Sequence, residues 1–349
     1  MKQSRINWVD TLKFLGIFAI YLGHYGEVAK KAYPFVFEYH VPLFFFISGF
    51  FFKYNSNESI IQCIKNKFKN LMIPYFIFSL IYLLFLLITK NLFINDVPSK
   101  LLEILTGIRN YSFIGPLWFI NCLFVMQILN KVLSKIYKDK KYYYILTGFI
   151  FLIVTTCIFP MLKINIPCFF WNIDSALYYY FYFTLGMILY PKLNKIKLNK
   201  NKPFRIIILV LIFIFLTAFT YCVYKKGSIY LYQKLNINND FFYIFYYHIK
   251  TMILIIYNVI IARILSPVKP FQLIGRNTLY LCCIELMWKS ITWKIFTIMG
   301  IYFNMNMLHT LCLYIIIILY LASKCIVILK KMVKKLKKYF KMVSHYDIL

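Results

Sequence analysis

The chain has 349 residues, is rich in apolar side chains and is strongly basic. Residues of the set AVILMFWYC make up 62%, charged residues only 15%, the mean hydropathy is +0.69 and the formal net charge is +30. A water-soluble fold of this length cannot bury so much apolar surface and still cover itself with charge. The composition therefore excludes a soluble enzyme, a disordered chain and a disulfide-stapled secreted domain, and it indicates a polytopic membrane protein.

Ten apolar segments are long enough to be membrane-spanning helices, which need about 20 mostly apolar residues each. In chain order they are Ile6–Gly23, Phe35–Phe52, Leu71–Thr89, Ser112–Asn130, Tyr143–Leu162, Phe169–Tyr190, Ile206–Tyr224, Phe241–Ala262, Thr278–Met299 and His309–Leu329. We therefore predict an all-α membrane protein with about ten transmembrane helices in one bundle. This bundle forms a single domain, residues 1–329, and a basic tail follows at residues 330–349.

The distribution of lysine and arginine predicts the orientation of the bundle. With a cytoplasmic N-terminus, the segments facing the cytoplasm hold 27 basic residues and the outer loops hold 9. Because cytoplasmic loops carry an excess of positive charge, both termini are predicted to be cytoplasmic. Charge spread over alternate loops also argues against a nucleic-acid partner, which would require one basic face. The tail is either solvated positive charge or a basic amphipathic helix on anionic membrane lipids.

The first predicted helix carries a stripe of polar residues, Asp10, Lys13 and His24. Eleven residues turn an α-helix by about 1100°, within about 20° of three full turns, so Lys13 and His24 share one face about 16 Å apart. Charged side chains inside a membrane are costly, which makes them functional candidates. Alternatively, Asp10 and Lys13 pair and reach the cytoplasmic side, while His24 lies in the outer interface.

Further polar residues lie in later predicted helices. His40 lies in the predicted second helix, near the end that faces the same side as His24, and two neighbouring histidines suit proton transfer near neutral pH, although His40 alone is equally explained as an interfacial anchor. Asp174 is a carboxylate within the sixth predicted helix and requires a partner. Glu285 and Lys289 are four residues apart, which favours a simple pair on one helix face.

Several motifs occur in a recognisable order. The first two predicted helices carry Asp-x-x-Lys-x-x-Gly-Ile (10–17), Gly-His (23–24) and His-Val-Pro-Leu-Phe-Phe-Phe-Ile-Ser-Gly (40–49). Later motifs are Ile-Pro-Tyr (73–75), Gly-Pro-Leu-Trp-Phe (115–119), Trp-Asn-Ile-Asp-Ser (171–175), Phe-x-x-Gly (183–186) and Ile-Gly-Arg-Asn-Thr-Leu-Tyr (274–280). Together they resemble the integral-membrane acyltransferase family 3, over residues 5–329. Within it, the chain is similar to fucose O-acetylases and surface-polysaccharide O-acetyltransferases.

The resemblance implies a ten-helix enzyme of the bacterial plasma membrane. Such enzymes move an acyl group, usually acetyl, from cytoplasmic acyl-CoA to a hydroxyl of a surface or capsular polysaccharide or its lipid-linked precursor. The family motif, a basic residue followed eleven positions later by histidine, corresponds to Lys13 and His24. Members often carry histidine near position 285, where this chain has Glu285, so the resemblance does not support a catalytic role for the ninth helix.

Acyl transfer from a thioester needs a base, charge-stabilising groups and a site for the phosphates of the donor. We predict that His24 is the base and that Lys13 contacts acetyl-CoA, with Asp10 setting the charge and rotamer of Lys13. The predicted phosphate-binding residues are Lys65, Lys67 and Lys69, and the predicted acceptor-binding residues are His40, Trp118 and Asp174. The three lysines are equally explained as ordinary topology signals.

Two other functions fit the intramembrane charges. A transporter or flippase of a glycan intermediate would use them as a relay or gate, although such proteins often show two related halves, which this sequence lacks. A non-catalytic subunit of a glycan assembly complex would not depend on His24. A covalent intermediate on His24 or Ser48 remains open within the enzyme hypothesis. No metal is expected, because the nine cysteines lack metal-ligand spacing.

Overall fold

The computed structural model describes residues 5–52, 54, 57–195, 203–227 and 240–346, with the side chains of 203–209, 240–241 and 336–346 outside the description. Within these ranges the secondary structure is helical, without strands, which confirms the predicted all-α class. The α-helices are α1 (Asn7–Gly23), α2 (Ala32–Phe37), α3 (His40–Gly49), α4 (Ile60–Lys67), α5 (Ile73–Ile88), α6 (Val97–Thr106), α7 (Trp118–Tyr137), α8 (Lys141–Ile153), α9 (Phe159–Met161), α10 (Ile173–Lys195), α11 (Pro203–Lys226), α12 (Asp240–Ile264), α13 (Lys269–Gly275), α14 (Thr278–Ile298) and α15 (Leu308–Tyr346).

Five stretches of the described chain are helical, long and apolar enough to cross a membrane. They are Ile60–Ile88, Gly115–Tyr137, Lys141–Met161, Phe242–Ile264 and Leu308–Lys335. These stretches correspond to the third, fourth, fifth, eighth and tenth predicted segments. The total of ten spans and the cytoplasmic position of both termini stay predictions.

The second predicted segment, Phe35–Phe52, is divided into two short helices in the structure. Helix α2 ends at Phe37, and Tyr39 leaves the helical conformation with a φ of −145° before α3 begins. Pro42 lies in the first turn of α3, where a missing backbone N–H interrupts no intrahelical hydrogen bond. The break is secured from α12, because Lys250 donates to Glu38 and the Thr251 hydroxyl donates to the Glu38 carbonyl.

Two other prolines follow π-helical turns rather than ending their helices. The π-turn Phe68–Met72 joins α4 to α5 just before Pro74, and the π-turn Val154–Ile158 joins α8 to α9 just before Pro160. A π-turn is wider than an α-turn, and a proline near the start of the following helix requires no N–H donor. Each pair of helices therefore continues as one helical rod.

Glycines allow two pairs of helices, α3 with α10 and α1 with α13, to approach each other so closely that their backbones touch. Gly49 of α3 meets the Phe183 backbone of α10, Gly186 of α10 meets the Phe46 backbone, and Gly275 of α13 meets the carbonyl of Asp10. A side chain at any of these positions would overlap main-chain atoms, which is the packing that small residues permit between membrane helices. The contact at Gly275 places the next residue, Arg276, beside Asp10.

The predicted boundary between the membrane domain and the basic tail falls inside one helix. Helix α15 runs without interruption from Leu308 to Tyr346 and passes through residue 330. Residues 347–349 of the predicted tail, and its side chains from 336 onwards, lie outside the described residues. The division at residue 329 and the contact of the tail with lipid therefore stay predictions.

Candidate active site

A cavity of about 480 Å³ lies between α1, α3, α7 and α14. One half of its wall is polar. It holds three lysines, Lys13, Lys67 and Lys131, together with Glu58, Gln127, Asn130 and Ser134. The other half is mainly apolar and includes Ile17, Ile20, Phe44, Phe119, Leu123, Leu279 and Cys282. We call these halves the cationic end and the apolar end. A cavity of this kind suits a ligand with a charged head and a long, less polar arm.

Lys13 has an open ammonium group at the cationic end. Its Nζ lies 4.5 Å from the centre of the Phe51 ring, and within the described part of the chain it forms no ion pair. Asp10, which the sequence placed beside Lys13, pairs instead with Arg276, whose Nε is 3.0 Å from the carboxylate. The charge of Lys13 is therefore available to a ligand.

Two more lysines reach the cationic end, and sequence analysis anticipated one of them. Lys67 is half-buried in the cavity wall, whereas Lys65 and Lys69 are exposed outside it. Lys131 is buried, with its Nζ 3.5 Å from a Glu58 oxygen. In the sequence, Lys131 counts only as one of the basic residues that face the cytoplasm. Polar residues at 127, 130, 131 and 134 nevertheless recur on one face of α7, and this pattern indicates a polar wall of the cavity.

His24 lies beyond the apolar end of the cavity. Along α1, Lys13, Ile17, Ile20 and His24 follow one another every three or four residues, so they share one helix face. The described wall of the cavity ends on this helix at Ile20, and His24 stands one turn further along. Of the polar stripe predicted from the sequence, Lys13 therefore lines this cavity, and His24 stands beyond it on the same face of α1.

Glu285 is the direct partner of His24. Its Oε1 lies 2.7 Å from His24 Nδ1, and the carboxylate is fully buried while the imidazole keeps 29% of its surface exposed. Because an ionised carboxylate only accepts hydrogen bonds, Nδ1–H is the donor, and the neutral imidazole in this tautomer has its lone pair on Nε2. Sequence analysis gave α14 no role in the site, because the family resemblance places histidine there.

Lys289 completes this group on α14. Its Nζ donates to the His24 carbonyl at 3.0 Å and lies 3.9 Å from Glu285 Oε1, so the four-residue pair expected from the sequence is present but is the longer of the two contacts. The second carboxylate oxygen, Glu285 Oε2, has no hydrogen-bond partner among the described residues. The shorter contact of the Glu285 carboxylate is therefore with His24, and its contact with Lys289 on the same helix is the longer one.

His40 and Trp118 are the first residues of α3 and α7, two of the helices that line the cavity. His40 is buried, its Nδ1 donates to the Val36 carbonyl at 2.7 Å, and its ring meets Phe37 edge-on. The Arg109 guanidinium stacks 4.2 Å from the Trp118 ring. Arg109 was missed because an isolated arginine in a loop has no periodic signal.

Asn172 holds the Arg109 segment, and Asp174 has a capping role. The side chain of Asn172 accepts from the Arg109 N–H and donates to the Gly107 carbonyl, each at 2.7 Å. Asp174 accepts from the backbone N–H groups of Cys168, Phe169 and Ser175. The partner that this intramembrane carboxylate required is therefore the main chain at the start of α10.

The fold and the site define an all-helical membrane protein with a cationic cavity that points towards a histidine–carboxylate pair. Over residues 6–322 the chain matches the family model described as the acyltransferase domain. The chain therefore belongs to this family of membrane acyltransferases, as the sequence motifs predicted. No curated protein and no solved structure gives a match.

Proposed function

We propose that this membrane acyltransferase moves an acetyl group from cytoplasmic acetyl-CoA to a hydroxyl of a bacterial surface polysaccharide, or of its lipid-linked precursor. The observation that carries the proposal is one face of α1. It presents Lys13 without an ion-pair partner among the described residues at the cationic end, and His24 bonded to a buried carboxylate beyond the apolar end. A thioester donor that bears phosphates needs a cation such as Lys13, and a hydroxyl acceptor needs a base such as His24 further along the same path.

The donor binds at the cationic end in this proposal. Lys13, Lys67 and Lys131 attract its phosphates, and the acyl arm extends along the cavity towards Ile20. The Oε1 atom of Gln127 has no hydrogen-bond partner among the described residues, so it is open to an amide N–H of the arm. Lys65 and Lys69 add long-range attraction from the exposed surface.

The chemistry takes place at His24. Its Nε2 accepts the proton of the acceptor hydroxyl as the hydroxyl oxygen attacks the thioester carbonyl carbon. The new C–O ester bond forms, the C–S bond breaks, and the proton passes from His24 to the departing thiolate. Glu285 holds Nδ1–H and stabilises the imidazolium that forms, in the way that a carboxylate orients the base of a catalytic triad.

The acceptor binds from the outer side, near His40 and Trp118. A tryptophan ring provides a flat apolar surface with a polar edge for a sugar, and Arg109 adds hydrogen-bond donors beside it. Asp174 shapes this region because its carboxylate accepts hydrogen bonds from the backbone N–H groups of Cys168 and Phe169 in the preceding loop. Ser48 is unsuited to a covalent intermediate, because its hydroxyl already donates to the Phe44 carbonyl at 2.8 Å.

Labelled acetyl-CoA tests the proposal with the full chain in membranes that contain the surface glycan. Loss of a general base costs about 10²–10⁴-fold in rate, so His24→Ala should reduce transfer of label to the glycan by that factor at equal protein level. His309→Ala is the matched control, because His309 is exposed at the start of α15. Wild-type turnover by His24→Ala would contradict the base assignment and favour transport.

A further inference from the structure

A second cavity, of about 210 Å³, adjoins the first. Its wall consists of Arg5, Ile6, Val9, Asp10, Lys13, Phe51, Tyr190 and Arg276. Lys13 and Phe51 line both cavities, so the two spaces meet at the ammonium group of Lys13. A single elongated ligand can therefore occupy both of them while its middle passes Lys13.

The smaller cavity carries an excess of positive charge. Three cations, Arg5, Lys13 and Arg276, share it with one carboxylate, Asp10. Asp10 is already paired with Arg276, and in the described ranges neither Arg5 nor Lys13 has a carboxylate within ion-pair distance. Charges left without a counter-ion in a concave site attract a polyanion, and phosphates are the anions that arginine binds best.

Arg276 is held in place before any ligand arrives. Its Nε donates to Asp10 and its Nη2 donates to Gln272, each at 3.0 Å. A guanidinium group has five N–H donors in a fixed plane, so these two bonds leave others available to a phosphate. The close approach of Gly275 to the Asp10 backbone fixes the position of this arginine.

Two aromatic rings distinguish this cavity from a simple phosphate site. Phe51 and Tyr190 are both in its wall, and Tyr190 is stacked on Phe50 with ring centres 4.8 Å apart, which fixes its orientation. Aromatic rings beside cations form the usual environment of a nucleobase with its phosphates. At the cationic end of the larger cavity, by contrast, Lys131 already faces Glu58.

From these features we infer that the smaller cavity binds the adenine nucleotide half of coenzyme A. The diphosphate lies at Lys13, where the smaller cavity meets the cationic end of the larger one with its further lysines, Lys67 and Lys131. The 3′-phosphate meets Arg5 and Arg276, and the adenine contacts Phe51 or Tyr190. The remaining arm of the coenzyme then enters the larger cavity towards Ile20. The identity of the donor rests on the proposed function, but the nucleotide site itself stands on the charges and rings described above.

Binding of adenosine 3′,5′-bisphosphate tests this site without any acyl transfer. The full chain is placed in nanodiscs of neutral phosphatidylcholine and titrated with the nucleotide. Arg5→Glu should weaken binding about tenfold, because it replaces an attractive charge by a repulsive one, and Phe51→Leu should weaken it about threefold by removing an aromatic contact. Lys192→Glu is the matched control, since Lys192 is exposed two residues beyond Tyr190 and outside both cavities.

The results separate three cases. Equal affinities of Arg5→Glu and wild type, or an equal loss in Lys192→Glu, overturn the site. Binding of pantetheine, which has no phosphate, should be the same in Arg5→Glu and wild type, and a tenfold loss there would show a folding defect instead of the inferred contact. If the natural anion is a lipid headgroup, nanodiscs with anionic phosphatidylglycerol will abolish nucleotide binding, which also overturns the inference.

Failure of the proposed function gives a different pattern from failure of this site. If the nucleotide binds and Arg5→Glu weakens it, but labelled acetyl never reaches any hydroxyl acceptor, the site stands and the acetyl-transfer proposal fails. If acetyl transfer proceeds and Arg5→Glu leaves both nucleotide affinity and donor KM unchanged, the site fails and the reaction stands.

Discussion

The two regions beyond the apolar end and at the cationic end of the cavity are built in contrasting ways. At the cationic end, long side chains from α1, α4 and α7 contribute charge, and Lys13, Lys67 and Lys131 overlap in what they attract. Beyond the apolar end, one imidazole meets one buried carboxylate at 2.7 Å. Affinity for a phosphate is thus shared among several groups, whereas proton transfer depends on a single pair.

The difference follows from how each interaction falls off with distance. Attraction between charges declines slowly, so a phosphate can be held by any of several ammonium groups. A hydrogen bond weakens steeply when its length or angle changes, so the direction of the His24 ring depends on Glu285 alone. Substitutions should therefore have large effects beyond the apolar end and graded effects at the cationic end.

The largest effect after loss of His24 is expected from Glu285→Gln. A neutral amide cannot stabilise the imidazolium and can turn its NH₂ group to the ring, which would favour the wrong tautomer, so kcat should fall about 30-fold to 100-fold. The KM for the donor should stay within twofold of wild type. Glu285→Asp keeps the charge and should recover part of the lost kcat.

Glu27→Gln provides the control for this change, since Glu27 is an exposed carboxylate that follows α1. Steady-state kinetics with labelled acetyl-CoA at matched protein levels measures all three variants. A donor KM that rises while kcat is retained would mean that Glu285 belongs to donor binding, and the contrast between the two regions would disappear.

An intermediate effect is expected from Lys13. Lys13→Ala should raise the donor KM about tenfold, because it removes the cation at which the two cavities meet. Lys13→Arg should be partly active, since its charge is kept. The protein should still fold, because no carboxylate of the described chain depends on Lys13 for an ion pair. Inhibition of both variants by free coenzyme A gives an independent measure of donor affinity.

The smallest effects on the donor KM are expected from Lys67 at the cationic end and from Lys65 and Lys69, which are exposed outside it. Lys67→Glu should raise the donor KM about threefold to fivefold and leave acceptor use unchanged, because Lys13 and Lys131 remain. Lys65→Glu and Lys69→Glu should change it less, since these exposed side chains act only through the long-range field. Equal effects of all three reversals would show that the general charge of this surface, rather than the cavity, attracts the donor. The KM at two salt concentrations separates these cases.

Much of the fold was predictable because apolar runs of membrane length are a strong signal. The predicted segments 71–89 and 143–162 agree within a few residues with α5 and with the α8–α9 rod, whereas the segment 309–329 matches the start of α15 but stops well before its end at Tyr346. The stripe from Lys13 to His24 followed from helical periodicity alone, and the structure puts that face along the cavity. The roles proposed for these residues stay predictions until activity is measured.

The remaining features depend on contacts between segments distant in the chain. Glu285 meets His24 across 261 positions and Arg276 meets Asp10 across 266, and no local pattern encodes either contact. A sequence also fails to show that Asp174 is satisfied by its own backbone neighbours, because their conformation decides this. The break after Phe37 was missed because Glu38 and His40, the polar residues that flank it, were included within one predicted span.

The apolar end of the cavity has a consequence for the membrane as a barrier. Ile17, Ile20 and Phe119 lie between the cationic end and His24, with no charged side chain among the apolar-end residues that line this stretch. In the proposed reaction the arm of the coenzyme fills this stretch as far as His24, and only the acyl group is transferred to the sugar. Hydrated ions are strongly disfavoured there. In the proposed reaction the bundle therefore passes an acyl group across the bilayer without becoming a leak for protons or salt.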